Sequence, residues 1–225
     1  MNRVYYKILL LLIFFIFIFL ISNGFEVKAK RMPNLLENII ITIDPGHGGR
    51  DPGTRYGNLL EKDLNLKISK TLKDQLEEDG AKVYLLRDDD VDFSEESDYL
   101  KKRSDLKRRI NYIESKKSDI YLSVHLNWYS DYYYGGSEVL YSNINPLNYR
   151  LALNLTEALS DANIRTREVK KTNLFLYNHT NTVGVLMECG FLSNADDRYL
   201  LQKSDYQEKF SIAISKGIIN YIKKI

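Results

Sequence analysis

The sequence predicts an α/β fold, a sheet flanked by helices on both faces. From Ile39 onward, short and nearly all-apolar segments alternate with longer segments of helical period. Strands that apolar throughout belong to sheets covered on both sides. In addition, polar residues that break the apolar runs fall near the strands' carboxyl ends, where open sheets of this class bind ligands.

The elements follow in order. Ile39–Asp44 reads as the first strand. Leu64, Ile68, Leu72 and Leu76 recur every four residues, which predicts an amphipathic helix over Lys62–Asp79, ended by Gly80. Lys82–Arg87 is a second strand, the acidic stretch "DDDVDFSEESD" a loop, and Leu100–Lys116 a helix with a charged outer face. "DIYLSVH", Asp119–His125, is the third strand, and the loop "NWYSDYYYGG" leads to a fourth at Ser137–Tyr141. Pro146–Asp161 is helical, with Pro146 in the first turn. Asn173–Tyr177 and Gly184–Glu188 read as further strands, and Phe210, Ile214, Ile218 and Ile222 give a last helix its apolar stripe. The chain contains no internal repeat, low-complexity block or appended binding module.

Composition narrows the function. A chain of 225 residues suits one domain with a substantial core, and 44% hydrophobic with 28% charged residues describes a globular protein. The net charge of +2, with basic residues interspersed among acidic ones, gives no electrostatic footprint for nucleic acid. The N-terminus departs from this composition. Arg3 and Lys7 precede the apolar run Ile8–Ile21, which is followed by Ser22-Asn23-Gly24. That order reads as an export signal over residues 1–24. The run is short for a spanning helix, which needs about 20 residues, although Tyr5 and Tyr6 could extend it into an uncleaved anchor. The working domain is therefore expected outside the cytoplasm, exported or anchored, touching membrane only through this segment. Residues 25–38 read as a linker and 39–225 as the catalytic domain. Cys189 is the single cysteine, so neither an intrachain disulfide nor a Cys-rich zinc site can form. Any metal must be held by His, Asp or Glu.

Four side chains carry the candidate chemistry. His47 follows the first strand, Glu61 opens the first helix, His125 closes the third strand, and Glu188 closes another. Two imidazoles and a carboxylate match a common catalytic zinc set, and a second carboxylate supplies a base for a water. Each also has a plainer reading. His125 fits a satisfied core histidine, and Glu61 fits a carboxylate interacting with a helix N-terminus. Glu188 lies in the apolar run "VGVLMECGF", where a carboxylate is costly unless paired or coordinated. The loop "GHGGRDPG" is poorly suited to phosphate. It lacks the Gly-Lys-Ser/Thr ending and the G-x-G-x-x-G pattern, and its prolines remove backbone donors.

"IDPGHGGRDPG" with His47, "NLLEKD" with Glu61, "SVHLN" with His125 and "VLMECGFLSN" with Glu188, in this order, resemble the zinc-dependent N-acetylmuramoyl-L-alanine amidases of bacterial cell walls (the amidase_3 type). The resemblance runs from about Ile39 to the C-terminus. The compact form and "DLKRRINYIESKKSDIYLSVHLN" look most like the germination-specific amidases of spore formers, the CwlD group. The resemblance implies a mixed, mostly parallel sheet flanked by helices. It also implies that His47, Glu61 and His125 bind one zinc and that Glu188 is the catalytic carboxylate. The implied substrate is the amide between the lactyl group of N-acetylmuramic acid and L-alanine in peptidoglycan, in the spore-specific group a step toward muramic-δ-lactam in the cortex. Val183-Gly184, Cys189 and "IRTREVKKT" depart from the family pattern, which bears on substrate contacts in that region.

Secondary roles stay open at this level. Asn127 fits either an oxyanion donor or a loop cap. Arg109 fits either a contact for substrate carboxylates or a solvated surface arginine. Trp128, Tyr129, Tyr132, Tyr133 and Tyr134 suit stacking on sugars, or packing on the body or on another protein. A partner, such as a spore-envelope protein that promotes metal loading, would find a contact patch there. His179 reads as a surface loop residue. Two rivals from other classes are an inactive peptidoglycan-binding protein of this fold and a metal-free glycosidase pairing Glu61 with Glu188.

Overall fold

The computed structural model describes residues 5–7, 9–14, 34–173 and 179–224. The chain divides into two units, Met1–Pro33 and Asn34–Ile225. In the first, residues 5–7 and 9–14 are helical. Among the described residues, no helix is long and apolar enough to cross a membrane. Most of the expected signal segment, and most of the expected strand Asn173–Tyr177, lie outside the described residues.

The second unit holds the sheet. Its elements are β1 (Ile40–Pro45), β2 (Arg55–Tyr56), β3 (Leu59–Leu60), α1 (Glu61–Glu78), β4 (Lys82–Leu85), α2 (Lys101–Ser115), β5 (Ile120–Asn127), β6 (Glu138–Tyr141), α3 (Pro146–Asp161), β7 (Lys170–Lys171), β8 (Val183–Phe191), α4 (Ala195–Leu201) and α5 (Ser204–Lys223). Six strands form one sheet in the order β4-β1-β5-β8-β6-β7, and β2 and β3 make a small hairpin of their own. The ladders β4–β1, β1–β5 and β5–β8 are parallel, whereas β6 runs antiparallel to β8 and carries β7 beside it in parallel. The sheet is therefore mixed and mostly parallel.

Alternation along the strands assigns each residue a face. Ile41 and Ile43 of β1 and Ile120, Leu122 and Val124 of β5 enter the larger core. There they meet Leu64, Ile68, Leu72 and Leu76 of α1, Leu151 and Leu155 of α3, and Phe210, Ile214 and Ile218 of α5. On the opposite face, Tyr121, Leu140 and Leu186 form a smaller core with Ile110 and Ile113 of α2. Among the described residues, α1, α3, α4 and α5 thus line the larger core and α2 the smaller one. Trimming a fully enclosed residue such as Leu72 to alanine costs about 2–5 kcal/mol.

The ends of the helices follow from their sequence. α1 stops in a Schellman arrangement: Gly80 takes φ 101°, its N–H bonds the Glu77 carbonyl, and the Ala81 N–H bonds the Leu76 carbonyl. Asn145 caps α3 by accepting the Leu147 N–H, with Pro146 in the first turn. Asn194 caps α4 through the N–H groups of Asp196 and Asp197.

Several strand boundaries differ from the expectation. β5 runs on to Asn127 and β8 to Phe191, so His125 and Glu188 lie within their strands and do not close them. The extension of β8 is held by Asp197, whose Oδ2 accepts the Phe191 N–H at 2.8 Å. β4 stops earlier, at Leu85, two residues before Arg87.

Candidate metal centre

The carboxyl ends of β1, β5 and β8 lie side by side, and the candidate residues are delivered there. β1 ends at Pro45, and the chain then turns so tightly that His47 adopts a left-handed φ of 61°. Gly48 and Asp51 close the turn through reciprocal backbone bonds of 3.0 Å. Two glycines of this loop are required by what they face. A Cβ on Gly46 would stand 2.3 Å from His125 Cε1. On Gly53, at φ 67°, it would stand 2.5 Å from Glu61 Oε2 and 2.8 Å from His47 Cδ2. The glycine-rich loop therefore leaves space for the ligand-type side chains themselves.

Glu61 is the first residue of α1 and is 2% exposed. Its Oε1 lies 3.1 Å from His47 Nε2 and 3.1 Å from His125 Nδ1. The same oxygen accepts the Leu126 N–H at 3.1 Å and the Asn65 side-chain amide at 3.3 Å. Oε2 accepts the Thr54 N–H at 2.7 Å. The two imidazoles meet edge to face with centroids 4.9 Å apart. One donor atom from each of His47, Glu61 and His125 falls within 4.8 Å of the other two. Ligand atoms bound to one tetrahedral zinc sit roughly 3.3 Å apart, so the nitrogen–oxygen separations fit such an ion. His47 Nδ1 lies 2.9 Å from Asp51 Oδ2, a charge contact without hydrogen-bond alignment. A carboxylate behind a ligating imidazole is a common supporting arrangement.

The electrostatics set the carboxylates apart. Burial by itself would lower His47, but Asp51 and Glu61 outweigh it and raise the imidazole to about 9. Burial would raise Glu61, yet the hydrogen bonds and charges of His125 and His47 hold it far below the usual carboxylate range. Glu188 goes the other way: burial first, then the negative charges of Glu61 and Glu138, raise it to about 8. It stands beside His125, its register partner across the β5–β8 ladder, and opposite Glu138 of β6. Its Oε2 is enclosed and has no hydrogen-bond partner among the described residues. One carboxylate is thus favoured in its ionised form and fixed by five contacts, while the other is held toward its protonated form with one oxygen unbonded among the described residues. The saturation of Glu61 is at odds with the paired carboxylates of a metal-free glycosidase.

The remaining candidates fall elsewhere. Asn127 ends β5, and its Oδ1 accepts the Trp128 N–H at 2.8 Å, a loop cap. Arg109 is neither at the solvent surface nor open to a substrate. It is 2% exposed and bonds Asp44, Asp105 and the carbonyls of Pro45 and His47. The aromatic loop divides: Tyr134 packs against Phe191 and Tyr129 and lies under Arg167, whereas Trp128, Tyr132 and Tyr133 stay exposed. His179 is apart from the cluster, lining a surface groove with Tyr99, Leu100 and Ile110. Three supporting residues escaped the sequence reading: Asp51, Asn65 and Arg87. Asp51 stands four residues after His47 in the same motif, and Asn65 one helical turn after Glu61, spacings that place them beside these residues. Arg87 has no comparable signal.

An α/β sheet with two histidines and two glutamates gathered at one edge defines a hydrolase-like class of site. The chain belongs to the N-acetylmuramoyl-L-alanine amidase family, which its residues 41–220 match. It is 33% identical over 216 residues to the germination-specific N-acetylmuramoyl-L-alanine amidase of Bacillus subtilis, covering 94% of this chain and 90% of that protein. Similarity to the amidase LytC of the same species is 31% over 213 residues, spanning 91% of this chain and 40% of LytC. Among solved structures, the CwlD amidase of Clostridioides difficile, in complex with the GerS lipoprotein, superposes with a TM-score of 0.79 at 34% identity. It covers 84% of this chain and 100% of that one. The amidase AmiC2 of Nostoc punctiforme gives 0.72 at 29% identity, covering 84% and 99%.

Proposed function

We propose that this chain is a zinc-dependent N-acetylmuramoyl-L-alanine amidase that cleaves the amide between the lactyl group of N-acetylmuramic acid and L-alanine, acting in the spore cortex on the way to muramic-δ-lactam. The observation that carries the reading is the meeting of His47, Glu61 and His125 donor atoms within 4.8 Å, with Glu188 beside them. Those three residues would hold the ion. Bound there, zinc supplies Lewis acidity, lowering the pKa of a water toward ~7 and polarising a carbonyl. Glu188, with one oxygen unpartnered, takes the proton of the attacking water and passes it to the departing alanine nitrogen, which cannot leave as an anion. Asn127, at the end of β5, is the nearest side-chain amide in sequence to the second histidine and serves the loop, with a donor role toward the carbonyl oxygen as its second use.

Residues 1–24 act in this reading as signal or anchor, 25–38 as linker and 39–225 as catalytic domain, which puts the enzyme outside the cytoplasm, in the cell wall or between the forespore membranes. The complex of the C. difficile amidase with a lipoprotein supports a lipoprotein partner for this chain as well; in this reading the partner belongs to the spore envelope and promotes metal loading. Peptidoglycan digestion tests the proposal. Wild type should release stem peptides with a free L-alanine amine, lose that activity to a chelator and regain it with zinc. Glu188→Gln should lower turnover by about 100- to 10,000-fold with zinc content unchanged. New reducing sugar ends, or undiminished activity in the variant, would contradict it.

A further inference from the structure

Behind the metal cluster lie two buried guanidiniums that the catalytic reading leaves unused. Arg87 is 3% exposed and Arg109 2%. Together they bind three consecutive carbonyls of the turn that carries His47. Pro45 O accepts from Arg87 Nε at 3.0 Å and from Arg109 Nη1 at 3.1 Å. Gly46 O accepts from Arg87 Nη2 at 3.0 Å, and His47 O from Arg109 Nη2 at 2.8 Å.

Each fork also reaches a second element. Arg87 Nη2 bonds the Lys62 carbonyl at 2.8 Å, in the first turn of α1 next to Glu61. Arg109 bonds Asp44 on β1 at 2.6 Å and Asp105 on α2 at 2.7 Å. Burying charge in this way is costly, and the arrangement delivers a result that a simple surface turn does not need. His47 sits at φ 61°, the left-handed region that non-glycine residues adopt uncommonly. Its carbonyl in that conformation points to the Arg109 fork, and its imidazole to Glu61.

We propose that Arg109, seconded by Arg87, is a positioning residue that holds His47 left-handed and thereby sets the affinity of the His47–Glu61–His125 cluster for its metal. This rests on the metal-binding reading above. A lysine can neutralise Asp44 but cannot span Asp44, Pro45 O and His47 O with a rigid fork. Removing support behind a ligand typically weakens metal binding 10- to 100-fold.

The test uses the full chain, stripped of metal and titrated with Co(II) in competition with a chromophoric chelator. The visible absorption of Co(II) reports the ligand geometry, and circular dichroism and thermal midpoint of the metal-free protein report the fold. Arg109→Lys should remain folded, bind Co(II) about 10- to 100-fold more weakly than wild type and change the visible band. Arg108→Lys, at a half-buried arginine of the same helix that bonds Phe93 and Asp98, should bind as wild type does. If Arg109→Lys does not fold, the double variant Asp44→Asn/Arg109→Gln, which removes the charge together with its partner, is measured in its place below its own midpoint. Wild-type affinity and an unchanged band in the folded variant would overturn the positioning role alone. Absence of Co(II) binding by the wild type would overturn the metal reading and this role with it.

Discussion

Two loops leave the same edge of the sheet, both held through their backbone groups, and differ in where their side chains go. The one after β1, residues 46–54, is pinned from behind by Arg87, Arg109 and Asn65 and closed by its own Gly48–Asp51 turn. The one after β5, residues 128–136, is tethered by side chains of the segment after β8: the Tyr129 N–H to Ser193 Oγ, the Tyr132 carbonyl to the Asn194 amide, and the Gly136 N–H to Asp197 Oδ2. Its rings at Trp128, Tyr132 and Tyr133 face solvent. The contrast separates two tasks. A ligand side chain has to be fixed within fractions of an ångström, whereas an exposed aromatic rim needs only to be presented.

Substitutions should reproduce that contrast. The largest effect is expected at Gly53→Ala, which introduces a Cβ 2.5 Å from Glu61 Oε2 at a residue with φ 67°. Metal affinity should fall by at least about 10-fold, and stability by about 1–3 kcal/mol, read by metal titration and urea denaturation. Next comes Glu188 in the metal-free protein. Its folded pKa of about 8 lies above the ordinary 4.5. Between these values the folded chain keeps a proton that the unfolded chain releases, so stability falls as pH rises through the window. Glu188→Gln removes this slope. The variant should gain on wild type steadily from about pH 4.5 to pH 8 and run parallel beyond it. A constant difference across the window would contradict the assignment. The smallest effects belong to the second loop. Tyr134→Ala loses contacts with Phe191, Tyr129 and Arg167 and should cost about 1–2 kcal/mol. Tyr133→Ala, at 89% exposure, should stay within about 0.5 kcal/mol of wild type in the same denaturation experiment.

The sequence made the front of the site legible and left its back obscure, for a physical reason. His47 follows an apolar strand, His125 and Glu188 interrupt theirs near the carboxyl ends, and the chemistry of an α/β sheet gives such positions a meaning on their own. Glu61 was visible because the helix begins there. Arg109 was not, because its spacing on α2 matches a charged surface helix, and only residues 62 to 65 positions away in the chain show that it is buried. Arg87 is in the same position, buried by carbonyls 41 and 42 residues upstream. The antiparallel course of β6 left no mark either, since "EVLY" is buried much as a parallel strand would be. The β2–β3 hairpin and β7, with two residues per strand, are too short for any periodicity. α4 did carry a signal that was passed over: Asn194 followed by Asp196 and Asp197 is an N-cap with an acidic first turn.

The central claim is that His47, Glu61 and His125 act together as one metal site. Zinc content per chain, measured by elemental analysis on purified wild type and on His47→Ala after equal exposure to zinc and gel filtration, tests it most directly. One zinc per wild-type chain and essentially none in the folded variant is the predicted result. Equal zinc in both proteins would contradict it.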